Sequence, residues 1–197
     1  VGVTDLTKKS ISPQEVKAVL EEIWKKSLCT PTAMTSPKTG PWKSASSYYP
    51  HSDAEVRIQT ILESGLKEHF KGFEVRHEQT QVTGRLDLEI EEPHEMDEST
   101  VTRHMLLELK VVRDFTESGG KYANSTNLDT IREGVDQARA YRDERKVRAA
   151  ALCCYDMRKE FRGDAAFDHV REEAKDWSVE LWLWHLFGEP SQYRAFT

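Results

Sequence analysis

A chain of 197 residues, 38% hydrophobic and 31% charged, is long enough to bury one sizeable core, and nothing in its composition asks for a second. The formal net charge of -6 excludes a polycation that coats nucleic acid or anionic lipid indiscriminately, so any nucleic-acid site must be local. Three cysteines, two of them the adjacent Cys153 and Cys154, exclude a secreted disulfide framework and lack zinc spacing. No run approaches the roughly 20 apolar residues of a membrane span, and a cytoplasmic or nucleoid-associated setting without membrane contact is expected.

In chain order, "PQEVKAVLEEIWKKSL" (13–28) places Val16, Val19, Leu20, Ile23 and Trp24 on one helical face, with Ser12 as N-cap and Pro13 in the first turn. Residues 29–52 are rich in Pro, Ser, Thr and Gly and read as a long loop, which makes 1–50 a helix-and-loop extension of a single domain covering 1–197. A second helix is expected over about 52–70, with Val56, Leu62, Leu66 and Phe70 inward. Three strand-like runs follow: "FEVRHEQ", "GRLDLEIEE" and "HMLLELKVV". The polar "PHEMDESTVTR" closes a hairpin between the last two, and "RDFTESGGKYANSTN" reads as flexible. A long helix over about 128–146 carries Leu128, Ile131, Val135 and Ala138, with Gly134 and Ala138 small enough for close approach to a sheet. "VRAAALCCYD" reads as a buried strand, 164–175 as a short helix and "SVELWLWHLF" as a last strand, with Trp177, Trp182 and Trp184 in the core. This order predicts an α/β fold, a mixed β-sheet flanked by helices.

Alternation along strands puts Leu86, Leu88 and Ile90 on one face and Arg85, Asp87 and Glu89 on the other; it likewise separates Leu107, Leu109 and Val111 from Leu106, Glu108 and Lys110. If the two strands are neighbours, Asp87, Glu108 and Lys110 converge. Two carboxylates at close range repel each other unless a cation lies between them, and hard oxygen ligands suit Mg²⁺, with Mn²⁺ able to substitute. A divalent ion of this kind makes bound water a nucleophile for a phosphodiester, and Lys110 is placed to orient that water or neutralise charge developing at phosphorus.

Asp87, followed by Glu108-Leu109-Lys110 on the next strand, resembles the PD-(D/E)XK nuclease superfamily; Gly84 in Gly-x-x-Asp form, and Gln137 and Tyr141 in "QARAY", resemble its RecB-like branch. The resemblance spans roughly Asp53 to Asp156, with Leu86 at a variable position of the pattern. It implies a restriction-endonuclease-like core and a Mg²⁺-dependent nuclease, DNA favoured over RNA as substrate. It implies Asp87, Glu108, the Leu109 carbonyl and Glu55 as metal ligands, Lys110 as the water-positioning group and Gln137 as a support for substrate or lysine. Restriction, repair and anti-phage defence all suit such a module, as do a partner protein, a larger parent chain or self-association. The alternative is a catalytically silent nucleic-acid-binding or assembly module that retains the fold.

Each assignment has a plainer counterpart. An Asp on one strand and Glu-x-Lys on another also describe a salt-bridged sheet face, Glu55 an ordinary helix surface, and Tyr141 a ring packed on the sheet. Glu89 is expected to be solvated. The net-basic "RAYRDERKVR" offers Arg139 and Arg142 as phosphate contacts or simply complements the helix dipole. Trp42, Tyr48 and Tyr49, interleaved with Lys38 and Lys43, could stack on unpaired bases, but packing of the loop over the core is the favoured use.

Overall fold

The computed structural model describes residues 10–33, 39–81, 84–94 and 97–196. Helix α1 (Pro13–Ser27) begins where its sequence caps it: the Glu15 amide donates to Ser12 Oγ at 3.2 Å, and the Ser12 amide donates to the Glu15 carboxylate at 2.7 Å. Both amides would otherwise lack partners inside the helix. Val16, Val19, Leu20 and Trp24 are buried, and the Trp24 indole donates to the His185 carbonyl at 2.9 Å. The expected N-terminal extension is thus built into the main core through its helix. Within the stretch read as loop, β1 (Trp42–Ser44) and β2 (Tyr49–Pro50) form a short antiparallel pair.

Helix α2 (Ala54–His69) packs beside α1, Gly65 lying against Ile23, and buries Ile58, Leu62 and Leu66, spaced four residues apart on one face. Val56 lies off that row and is 53% exposed, contrary to its expected inward placement. The main sheet runs β3 (Glu74–Gln81), β4 (Gly84–His94), β5 (Asp97–Val112), β6 (Ala149–Asp156), β7 (Val179–His185), antiparallel across the first three strands and parallel across the last three. This is the mixed α/β sheet expected from the element order. One face carries Leu88, Ile90, Met105, Leu107, Leu109, Ala151 and Cys153 against α1 and α2. The other carries Leu106, Val112, Ala150, Leu152 and Cys154 against Ile131, Val135 and Ala138 of α3 (Asn124–Arg145).

At Gly134 a Cβ would lie 2.6 Å from Leu152 Cδ1 and 2.9 Å from Lys110 Cγ, so the close approach of helix and sheet requires glycine there. The hairpin between β4 and β5 is longer than expected, because cross-strand pairs such as Glu91↔Arg103 and Glu92↔Thr102 extend the ladder into the polar segment. Helix α3 starts four residues early, and Asn127 in its first turn clamps the preceding chain: its Oδ1 accepts from the Arg113 amide at 3.0 Å and its Nδ2 donates to the Arg113 carbonyl at 2.8 Å. The stretch read as flexible is therefore tied down. The short helix expected over 164–175 divides into a 3₁₀ turn (Gly163–Phe167) and α4 (Arg171–Asp176), and a final helix α5 (Pro190–Phe196) was not anticipated.

Candidate active site

The site begins where the sheet forks. β3 and β4 pair as far as Gln81↔Gly84, and β5 and β6 as far as Val112↔Asp156, but the β4–β5 register starts at Leu88↔Leu107. Before Leu88, β4 follows β3; beyond Leu107, β5 follows β6. The next residue on each side of the opening is Asp87 on β4 and Glu108 on β5. Continuing the antiparallel register sets them opposite one another, on the same face of the sheet.

A strand that loses its neighbour has main-chain groups to satisfy. The Leu109 amide donates to Asp87 Oδ2 at 2.7 Å, and the Val111 amide donates to the Glu55 carboxylate. Two side chains thereby occupy places that a strand backbone would have filled. Gln59, one helical turn after Glu55, donates to the Asp87 carbonyl at 3.0 Å and fixes the other side of the fork. Because the N–H and C=O of one strand residue point to the same edge, the Leu109 carbonyl also faces the opening.

Glu108 is 1% exposed. One of its oxygens accepts from Lys110 Nζ at 2.6 Å, and the other, Oε2, has no hydrogen-bond partner. Burial, with the Asp87 carboxylate adding to it, pushes the Glu108 carboxyl up to about 8, against the opposing effect of Lys110. Burial also raises the Glu55 carboxyl, opposed by Lys110 and helped by Asp87. For Lys110, burial disfavours the ammonium, but Glu108, Glu55 and Asp87 together outweigh it and hold its pKa above the ordinary lysine value. Three acids thus share one ammonium.

Among the described residues no group of three or more His, Cys, Asp or Glu side chains is preset to hold a metal. The donor set nonetheless fits Mg²⁺, which is commonly held by one or two carboxylates and keeps several waters. Here the donors would be Asp87, the buried and unpartnered Oε2 of Glu108, and the Leu109 carbonyl.

The other expected residues divide. Gln137 lies one turn along α3 from Gly134, which touches Lys110, and its Oε1 is likewise buried without a hydrogen-bond partner. Tyr141, one further turn along, is 1% exposed and packs in the core between α3 and the sheet. Arg142 donates to the Trp177 and Ser178 carbonyls and to Asp143, while the Arg139 guanidinium stacks over Trp177 at 4.4 Å. The structure therefore sets both arginines against the Trp177 turn. Glu89, expected to be solvated, is fully buried: Arg145 at the end of α3 grips both of its oxygens at 2.6 and 2.7 Å, and Arg103 lies at 3.4 Å. Trp42 and Tyr48 are buried edge to face at 5.7 Å, and Lys38 falls outside the described residues. Gln59 was missed by sequence reasoning, although its position four residues after Glu55 was the available signal. Comparison of the chain with protein-family models, with curated proteins and with solved structures finds no match.

Proposed function

We propose that this chain is a divalent-metal-dependent nuclease with a restriction-endonuclease-like core, hydrolysing phosphodiester bonds of nucleic acid, DNA favoured over RNA. The observation that supports it most is the buried, unpartnered Glu108 Oε2, opposite Asp87 and beside Lys110 at the fork of the sheet. Mg²⁺ or Mn²⁺ bound by Asp87, Glu108 and the Leu109 carbonyl would supply charge neutralisation and a water acidified toward neutral pH. Lys110 holds the Glu108 carboxylate in place and presents its ammonium to an incoming phosphate oxygen. Gln59 fixes the backbone of Asp87, Glu55 closes the free edge of β5, and Gln137 offers its oxygen from the helix side.

The test is incubation of supercoiled and linear DNA, and of RNA, with Mg²⁺, Mn²⁺ or chelator, alongside Lys110→Ala and Asp87→Asn. Metal-dependent cleavage by wild type and its loss in both variants is the expected outcome; equal cleavage by all three defeats the assignment. A second reading, a silent nucleic-acid-binding or assembly module, is favoured by the way Asp87 and Glu55 satisfy the amides of β5. Calorimetric titration separates the two, since a module that uses these carboxylates only to close a strand edge gives no Mn²⁺ binding that Asp87→Asn abolishes.

A further inference from the structure

A cleft of about 560 Å³ lies beyond the end of β5, lined by Lys43, Ser52, Arg113, Thr116, Glu117 and Ser118. Four separate segments build it: β1, the turn into α2, the residue after β5, and the loop leading to α3. The loop is locked against the β1–β2 pair. Phe115 meets Tyr49 at 5.5 Å, and Gly119 has φ +84° with the Tyr49 ring 2.7 Å from where a Cβ would stand. Arg113 is held at its main chain by Asn127 and at its guanidinium by the Tyr122 ring, 4.7 Å away, and its Nε is buried without an acceptor. Lys43 is exposed at the rim. The one acid in the lining, Glu117, is already engaged by His51 Nδ1 at 3.0 Å and by Ser52.

The cleft adjoins the candidate active site. Ser52 lies three residues before Glu55, and Arg113 interacts electrostatically with Glu55. Arg113 is the first residue after β5 and three past Lys110, which sets their main chains about 10 Å apart at the rise of a β-strand. That is about the rise of three nucleotides along one strand of a duplex, too far for the phosphate under attack and suited to a neighbour on the same strand. One anchored guanidinium, with a lysine exposed at the rim and hydroxyls from Ser52, Thr116 and Ser118 around them, matches a phosphodiester.

We infer that the Lys43–Arg113 cleft is a subsite that grips a non-scissile phosphate of the polynucleotide and so sets the register of the strand over Asp87, Glu108 and Lys110. This rests on the nucleolytic reading above, and the test keeps the two apart. Binding of a fluorescently labelled oligonucleotide is measured by anisotropy against Lys110→Ala protein, with and without Lys43→Gln and Arg113→Gln, over a series of salt concentrations. The double substitution is expected to weaken binding about tenfold and to flatten the dependence of log K on log salt by about 0.7–0.9 per contact removed. In otherwise wild-type protein it raises KM by a similar factor and leaves kcat within twofold. Lys43→Gln alone, on an exposed side chain, keeps the test informative if Arg113→Gln fails to fold, and Arg113→Lys is expected to restore the salt slope. Cleavage by wild type with neither slope nor KM altered overturns the subsite and leaves the nuclease standing. No oligonucleotide binding by Lys110→Ala protein and no cleavage by wild type overturns both.

Discussion

Glu108 stands between opposing demands. Its carboxyl, at 4.5 in an ordinary setting, is pushed to about 8 by burial and by Asp87, with Lys110 pulling the other way. The folded chain therefore holds this proton more tightly than the unfolded chain does. Without bound metal, stability falls as pH rises from 4.5 to 8, at most about 1.4 kcal/mol for each unit, and levels off above. Urea unfolding at pH 5, 6.5 and 8 should show this slope in wild type and a flatter one in Glu108→Gln; identical profiles would remove Glu108 as its source. A second consequence concerns ion binding. Since a ligating carboxylate must be ionised, Mn²⁺ binding at pH 7 should release close to one proton, read by calorimetry in buffers of different ionisation enthalpy. Much of this centre was legible residue by residue, because alternation puts Glu108 and Lys110 on one face of their strand and Asp87 joins them once the two strands pair. Glu89 obeys the same alternation and was misread, because what buries it is Arg145, 56 positions later on another element. Gln59, signalled only by its place four residues after Glu55, and Arg113 went unassigned for the same reason: their roles depend on which carbonyl or ring the fold brings to them.

The elements themselves were largely readable, and their ends were not. Periodicity located the main helices and strands, but α3 begins early because Asn127 finds the Arg113 main chain, a contact between distant parts of the chain. The β4–β5 ladder runs longer than hydrophobicity suggests, because polar cross-strand pairs extend it. Gly134→Val would drive a side chain into Leu152 and Lys110, so it should cost about 1–3 kcal/mol in chemical denaturation and lower metal-dependent activity by displacing Lys110. Arg145→Met would leave the Glu89 carboxylate buried without its two-oxygen partner, with Arg103 at 3.4 Å and the charge of Arg76 to offset it in part. A loss of about 3–5 kcal/mol is expected in the same assay, whereas Arg145→Met combined with Glu89→Leu should recover most of it.

For the molecule as a whole, a net charge of -6 opposes association with another polyanion, and the fork adds acids where a phosphate would arrive. On the nucleolytic reading, affinity for DNA should rise when Mn²⁺ replaces monovalent salt at equal ionic strength, in Lys110→Ala protein that is expected not to cleave; no difference in anisotropy would argue against a divalent ion at the fork. Among the described residues no helix is long and apolar enough to cross a membrane. The branching of the sheet also has a mechanical meaning. The antiparallel pair carrying Asp87 and the parallel body carrying Glu108 part beyond Leu88 and Leu107, so the gap between the two acids resembles a caliper whose jaws are bridged by the Asp87 bond to the Leu109 amide and braced from α2 by Gln59 and Glu55. If a divalent ion is held between Asp87 and Glu108, the larger Ca²⁺ is expected to leave the Leu109 amide exchanging faster than Mg²⁺ does, a difference that hydrogen exchange would record.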